Sequence, residues 1–141
     1  MAYGEGDSSF QAAGGEVGLR RLVDTFYARM VELPQAQHIL AMHPENLDVS
    51  RDKLARFLCG WLGGPHLYNE KYGRISIPAA HQHLRIGNAE RDAWLECMAY
   101  AIAAQNYHED FKTYLLAQLA VPAEAIRRVS EHVHATEKNS T

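Results

Sequence analysis

The residue types best suited to chemistry lie between His81 and Met98, where an imidazole precedes a glycine and an indole follows it. His81 stands six positions before Gly87, and Trp94 lies on the apolar side of a helix predicted to begin just after that glycine. A buried metal cofactor could use such a pair, with the imidazole as ligand and the indole N–H as a hydrogen-bond donor. A surface histidine and a core tryptophan are the simpler alternative.

Other metal and catalytic sites have little support in the sequence. His81 and His83 are two positions apart, so on a helix they point to different sides and would not share a zinc ion. The chain contains no His-Glu-x-x-His, no Cys-x-x-Cys, no Gly-x-Ser-x-Gly, no phosphate loop and no dinucleotide fingerprint. A single imidazole in apolar surroundings fits haem iron better, because the porphyrin supplies four further ligands. The lack of Cys-x-x-Cys-His excludes covalent c-type attachment.

Two further polar side chains are equally ambiguous when taken alone. Tyr27 lies on the apolar stripe of a predicted helix, where a core tyrosine usually bonds its hydroxyl to a backbone carbonyl. His43 precedes Pro44 in a predicted loop, where an imidazole is ordinarily solvated. Neither residue identifies a site by itself.

Composition limits the classes of partner. The chain has 141 residues, of which 47% are hydrophobic and 22% charged, as is typical of one soluble globular domain. A net charge of −3 gives no electrostatic basis for binding nucleic acid or an anionic membrane, and no apolar run is long enough to span a bilayer. Cys59 and Cys97 lie in apolar helical patterns, so we expect buried reduced thiols and a cytoplasmic location.

The elements that must position these residues are helical. A first apolar stripe with helical period consists of Leu19, Leu22, Val23, Phe26, Tyr27 and Met30. A second consists of Leu54, Phe57, Leu58 and Trp61. Asp48 or Ser50 is placed to cap the second helix, and Asn88 to cap the long helix that carries Trp94. Pro122 is expected to break or kink the last helix.

No segment alternates with period two for long enough to predict a strand, so the fold class is all-α. Helix number and short connections allow either an up-down bundle or a globin-like arrangement. Residues 1–13 are predicted to be a flexible N-terminal extension, and residues 136–141 a disordered tail.

An ordered set of short motifs runs from Gly14 to Met98, within a resemblance that covers about residues 14–128. The set consists of Gly14-Gly15, Leu-Val-Asp-Thr-Phe-Tyr at 22–27, Met42-His43-Pro44, Phe-Leu-Cys-Gly-Trp-Leu-Gly-Gly-Pro at 57–65, Tyr68, Tyr72-Gly73, Ile-Gly-Asn-Ala-Glu-Arg-Asp-Ala-Trp-Leu at 86–95 and Cys97-Met98. Each motif is weak alone, but the ordered set resembles the group II truncated haemoglobins. That resemblance implies a globin-like, two-over-two helical sandwich, with the globin domain at 14–135.

The resemblance also implies a role for each candidate residue. His81 is the proximal histidine that ligates the iron of a non-covalent haem b. Tyr27, His43 and Trp94 form a polar distal pocket on the opposite side of the haem. Ser50 stands where vertebrate globins place a distal histidine, and its side chain is too short to reach the iron. The other implied haem contacts are Leu54, Phe57, Leu58, Tyr72, Ile86, Met98 and Arg85.

The chain departs from the family pattern next to the proximal position. The arginines that usually precede this histidine are replaced by Pro-Ala-Ala at 78–80, and Leu84 stands where a phenylalanine is usual. The resemblance then leaves Arg74, Arg85 or His83 as the cationic partner of a haem propionate. It also predicts that haem is held more weakly or in a different orientation.

The implied function is reversible binding of O2 and of other small ligands such as CO, NO and peroxides. A polar pocket favours redox or NO chemistry, peroxidase-like turnover or sensing, served by an unidentified reductase, over O2 storage and oxygen transport. An alternative is a haem protein that takes His43 or Tyr27 as sixth ligand and acts in electron transfer or sensing. An alternative of another class is a helical sensor or interaction module without haem.

Overall fold

The computed structural model describes residues 2–138, and over that range it is built from helices and their connections. The helices are α1 (Ser8–Ala12), α2 (Gly15–Glu32), α3 (Gln37–Leu40), α4 (Asp48–Trp61), α5 (Leu67–Tyr72), α6 (Ile77–His81), α7 (Asn88–Ala103) and α8 (Glu109–Lys138), with a 3₁₀ turn at Pro34–Ala36. The described part contains no strand, which confirms the all-α prediction. Within it, no helix is long and apolar enough to cross a membrane.

The core forms where α2 packs against α4 and α7, and where α7 packs against α8. All six residues of the predicted α2 stripe are buried, because their helical spacing puts them on one face. Each large apolar side chain buried in this way contributes about 1.5–3 kcal/mol. Cys59 and Cys97 are both 0% exposed within the same core. Burial raises the pKa of both thiols, that of Cys97 to about 11.

The helix ends differ from the sequence predictions. At the start of α4 neither Asp48 nor Ser50 caps the helix with its side chain, and the Asp48 N–H instead bonds the side-chain oxygen of Asn46 at 2.9 Å. At the start of α7 the N-cap is Gly87, whose N–H donates to Glu90 Oε1 at 2.8 Å, so that Asn88 is the first helical residue. Cap positions depend on local backbone geometry that a residue type does not fix.

Helix α8 does not break at Pro122 but continues to Lys138. A proline at this position removes one backbone donor, which costs the helix one internal hydrogen bond. The half of α8 that contains Ser130 is held by its packing against α6 and by side-chain bonds to residues 84–86. Tertiary contacts therefore outweigh the local cost. Residues 136–138 of the predicted tail belong to α8, and residues 139–141 lie outside the described range.

The N-terminal segment, which the sequence predicts to be a flexible extension, makes hydrogen bonds to the rest of the domain. The Tyr3 hydroxyl donates to Asp110 Oδ1 at 2.8 Å, which joins the segment to α8. The Phe10 N–H donates to the Leu62 carbonyl at 3.1 Å, which joins α1 to the end of α4. Both partners are distant in sequence, so a local pattern of small and acidic residues could not reveal them.

Gly63 is required for this docking, and its replacement by alanine should be costly. Gly63 has a φ of +92°, and a Cβ atom there would lie 2.0 Å from the Gly6 carbonyl oxygen. We expect Gly63→Ala to lower the free energy of unfolding by roughly 2–4 kcal/mol, from backbone strain and the forced shift of residues 2–13. Urea unfolding of the purified protein measures this loss.

Gly73 provides the matched control. It has a similar φ of +84°, but a Cβ atom there meets nothing within 4 Å. Gly73→Ala should therefore cost only the backbone term, about 1 kcal/mol. Equal losses in the two variants would show that the contact with Gly6 contributes nothing.

Candidate functional site

His81 ends α6 with its ring held in one orientation. Its Nδ1 atom lies 2.7 Å from the Ile77 carbonyl oxygen. Because a carbonyl can only accept, Nδ1 carries the proton and Nε2 keeps a lone pair. A hydrogen bond from the other ring nitrogen to a backbone carbonyl is the arrangement that orients metal-ligating histidines in general. His81 is half-buried.

Helix α6 stands apart from the helices that form the core. Among the described helices it packs closely only against α8, whereas α4 packs against α2 and α5. Half-buried apolar side chains occur elsewhere in the chain, namely Leu54 and Phe57 on α4, Ile86 before α7 and Trp94 on α7. These are the apolar side chains available to cover a flat group held by His81. A single imidazole together with apolar side chains would suit a haem, whose porphyrin supplies four further ligands to the iron.

Aromatic contacts bring three predicted polar residues together. The ring centroids of Tyr27 and His43 lie 5.6 Å apart, with the rings edge to face. The Phe26 ring lies 5.0 Å from that of Tyr27 and 5.1 Å from that of Trp94, again edge to face. Contacts of this geometry are favourable and restrict ring movement. Tyr27 and Trp94 both pack on Phe26, and His43 packs on Tyr27; we call Tyr27, His43 and Trp94 the polar cluster.

The polar cluster offers two donors and one lone pair. Burial raises the pKa of Tyr27 to about 12, although the charge of Arg51 opposes the shift, so the phenol is protonated at neutral pH. Neither the Tyr27 hydroxyl nor the Trp94 indole N–H bonds to another residue of the described part. His43 Nδ1 lies 2.8 Å from the Ile39 carbonyl oxygen, which leaves its Nε2 as an acceptor.

The other residues predicted near the haem differ in how far their side chains are buried. Leu58 and Met98 are 1% and 0% exposed, so both lie in the core. Ile86 is half-buried, and Arg85 is exposed in the same turn. Ser50 is half-buried on α4.

Asp52, which no sequence motif indicated, joins three helices beside the site. Its carboxylate accepts hydrogen bonds from the Tyr72 hydroxyl at 2.7 Å, Lys71 Nζ at 2.8 Å, Arg56 Nε at 3.0 Å and Arg20 Nη2 at 3.1 Å. Burial alone would raise the pKa of Asp52, but these four donors outweigh it and hold the pKa well below its usual range. Of these four contacts, sequence spacing alone predicts the ion pair between Asp52 and Arg56, which stand at i and i+4 on one helix.

A further cation at the same place was not indicated by the sequence either. Lys53 Nζ lies 5.4 Å from the centroid of the Tyr72 ring, and its own side chain is exposed on α4 next to Leu54. Lys53 therefore joins Arg74, Arg85 and His83, which are all exposed, as a candidate partner for an acidic substituent of a bound group. The signal that could have found it is its position one residue before a predicted pocket residue.

Comparison with known proteins gives a consistent family. Residues 8–128 match the family of bacterial-like globins. The group 2 truncated hemoglobin YjbI of Bacillus subtilis is 34% identical over 117 residues, which are 83% of this chain and 86% of that protein.

Solved structures agree with the sequence match. The group II truncated hemoglobin from Bacillus anthracis has a TM-score of 0.77 at 33% identity, covering 84% of this chain and 88% of that one. The truncated oxygen-avid haemoglobin from Bacillus subtilis has a TM-score of 0.75 at 34% identity, covering 84% and 97%. The chain therefore belongs to the bacterial-like globins, as a group II truncated haemoglobin with the two-over-two fold.

Proposed function

We propose that the protein binds haem b through His81 and holds O2 and related diatomic ligands in the polar cluster. Globin membership implies haem binding and small diatomic ligands. The observation that carries the residue assignment is the 2.7 Å contact between His81 Nδ1 and the Ile77 carbonyl, because it fixes the ring and leaves Nε2 with a lone pair for a metal. The lack of a Cys-x-x-Cys-His motif supports a non-covalent haem b.

When bound, the haem would supply an iron atom that takes a diatomic ligand reversibly. The side chains of the polar cluster would stabilise that ligand by hydrogen bonds. Oxygen held at such a site carries partial negative charge, which hydrogen-bond donors stabilise. The Tyr27 phenol supplies one donor because its pKa of about 12 keeps it protonated. The Trp94 indole supplies another, since that group can only donate. Edge-to-face packing on Phe26 restricts the movement of both rings, which keeps each donor in place.

Hydrogen bonds that stabilise bound oxygen also slow its release. Slow release suits chemistry or sensing better than oxygen storage or transport. The proposed activities are redox or NO chemistry and peroxidase-like turnover, with CO, NO and peroxides as further ligands and a reductase as electron donor. The relative from Bacillus subtilis that is described as oxygen-avid supports strong retention. The two buried thiols support a cytoplasmic location.

A second candidate is ligation of ferric iron by a residue of the polar cluster, for electron transfer or sensing. His43 favours it, because its Nε2 lone pair lies in the same cluster as Tyr27. His43 follows α3 in a connecting segment, so a shift of that segment could bring the imidazole toward the iron.

Absorption spectra of the haem-titrated protein test both candidates. We expect an intense Soret band, and a ferrous form whose band shifts on adding CO. A protein that shows no Soret band after titration contradicts the proposed function and supports a haem-free sensor or interaction module.

The ferric spectrum separates the two haem proposals. A low-spin ferric spectrum that is lost in His43→Ala or Tyr27→Phe would support the second candidate. A purely high-spin ferric form would rule it out. The His43→Gln variant is a useful control, since it keeps a polar side chain of similar reach without an imidazole.

A further inference from the structure

The turn that follows His81 is fastened to α8 by one buried serine. Ser130 is 2% exposed, and its hydroxyl donates to the Leu84 carbonyl at 2.7 Å. The same oxygen accepts the Ile86 N–H at 2.8 Å. Leu84 in turn donates its N–H to the His81 carbonyl at 3.0 Å. A short chain of hydrogen bonds therefore links α8 to the backbone of His81.

We propose that Ser130 is a positioning residue for His81, which sets the direction of the imidazole by holding residues 84–86 against α8. This inference rests on the proposed ligation of haem iron by His81. The hydrogen bonds of the Ser130 hydroxyl are to the backbone of residues 84–86, so we infer that it acts through the turn.

Helix α6 cannot hold this orientation by itself. It has five residues, from Ile77 to His81, and a helix of that length is unstable without tertiary contacts. Among the described helices it packs closely only against α8. The direction of the His81 ring therefore depends on how α8 is joined to α6 and to the turn that follows it.

A second side chain of α8 reinforces the contact. His134 Nε2 lies 3.1 Å from the same Leu84 carbonyl that accepts the Ser130 hydroxyl. The Ile86 N–H, however, is held by Ser130. Ser130 bonds both the Leu84 carbonyl and the Ile86 N–H, so its loss should release the turn.

The variants are Ser130→Ala, Ser130→Thr and Ser9→Ala. Ser9 is the matched control, because it is also 2% exposed and its hydroxyl oxygen also accepts a backbone N–H, that of Gly4, at 2.9 Å. It lies in α1, which packs against α2 and not closely against α6 or α8. The Ser130→Thr variant keeps the hydroxyl and should retain the wild-type values.

Three measurements separate positioning from stability. In the apoprotein, Ser130→Ala should speed amide hydrogen exchange at Ile86 by about tenfold or more, as expected when a buried bond is lost. In the ferrous haem protein, the iron–imidazole stretching band should shift or broaden. Transfer of haem to an excess of a competing apoglobin should be roughly five- to twentyfold faster. Ser9→Ala should leave all three unchanged.

The outcomes distinguish this inference from the proposed function. A wild-type protein without an iron–imidazole band would show that His81 does not ligate iron, and both proposals fail. A wild-type band that Ser130→Ala leaves in place, while Ile86 exchanges faster, overturns the positioning role alone. Should Ser130→Ala not fold, Ser130→Cys replaces it, because a thiol of similar size is a weak donor and acceptor.

Discussion

Replacing Tyr27 and Trp94 together with phenylalanine should speed oxygen release by roughly one to two decades. Each neutral hydrogen bond contributes about 0.5–1.5 kcal/mol net, and more where water is excluded. Loss of both donors then removes about 1–3 kcal/mol or more, at about 1.4 kcal/mol for each tenfold change in rate. Phenylalanine keeps an aromatic ring against Phe26 at both positions, so the packing around Phe26 should be retained.

Stopped-flow displacement of O2 by CO measures the release rate directly. The control is Tyr107→Phe, because burial also raises the pKa of Tyr107 to about 12 but its ring packs against Phe111, away from the polar cluster. That variant should release oxygen at the wild-type rate. An unchanged rate in the double variant would mean that the polar cluster does not hold the ligand.

Replacing Asp52 with asparagine should be the most damaging single change to stability among the carboxylates of the described residues. Three cations and a phenol surround Asp52, whose side chain is 19% exposed. Removing the charge leaves those cations without their shared partner, which should cost about 2–4 kcal/mol at neutral pH. Tyr72 and Lys71 should also lose the hydrogen bonds to a charged partner that hold their side chains in place.

The same variant should change how stability depends on pH. The pKa of Asp52 is lower in the folded protein than in the unfolded chain, so the unfolded chain takes up the proton first as pH falls. The stabilisation is therefore complete above about pH 5 and is lost progressively below about pH 4. Asp52→Asn should have a flatter acid limb than the wild type.

Urea unfolding at several pH values measures both effects. Asp48→Asn is the control, because this aspartate lies on the same helix but its side chain is exposed and its carboxylate lies 3.4 Å from Arg51 Nη1. It should change stability by less than about 0.5 kcal/mol. A parallel acid limb in Asp52→Asn and wild type would show that other carboxylates control the acid response.

The long helices could be predicted because their apolar residues repeat with a constant period. The α2 stripe from Leu19 to Met30 is an example, since every member is buried. The helix ends, the continuation of α8 through a proline and the docking of the N-terminal segment could not be predicted in this way. Continuation of α8 through Pro122 depends on packing against α6, and the docking of Tyr3 depends on Asp110, a residue 107 positions away.

The candidate site likewise contains some residues that the sequence indicated and others that it did not. Motif order indicated His81, Tyr27 and Trp94, and the structure packs Tyr27 and Trp94 on Phe26 and His43 on Tyr27. The residues that support a site were not visible, because their partners are far apart in sequence. Ser130 bonds Leu84 across 46 positions, and no local pattern distinguishes it from an ordinary surface serine.

The burial of Cys59 and Cys97 gives the domain two internal reporters of its opening. Both side chains are 0% exposed, and their raised pKa values keep them protonated, so alkylating reagents and peroxides should reach them only when the core separates. Because a ligand that binds only the folded state lowers the population of open molecules, added haem should slow the labelling of both cysteines. The ratio of labelling rates with and without haem would then measure haem affinity without any spectrum of the haem itself.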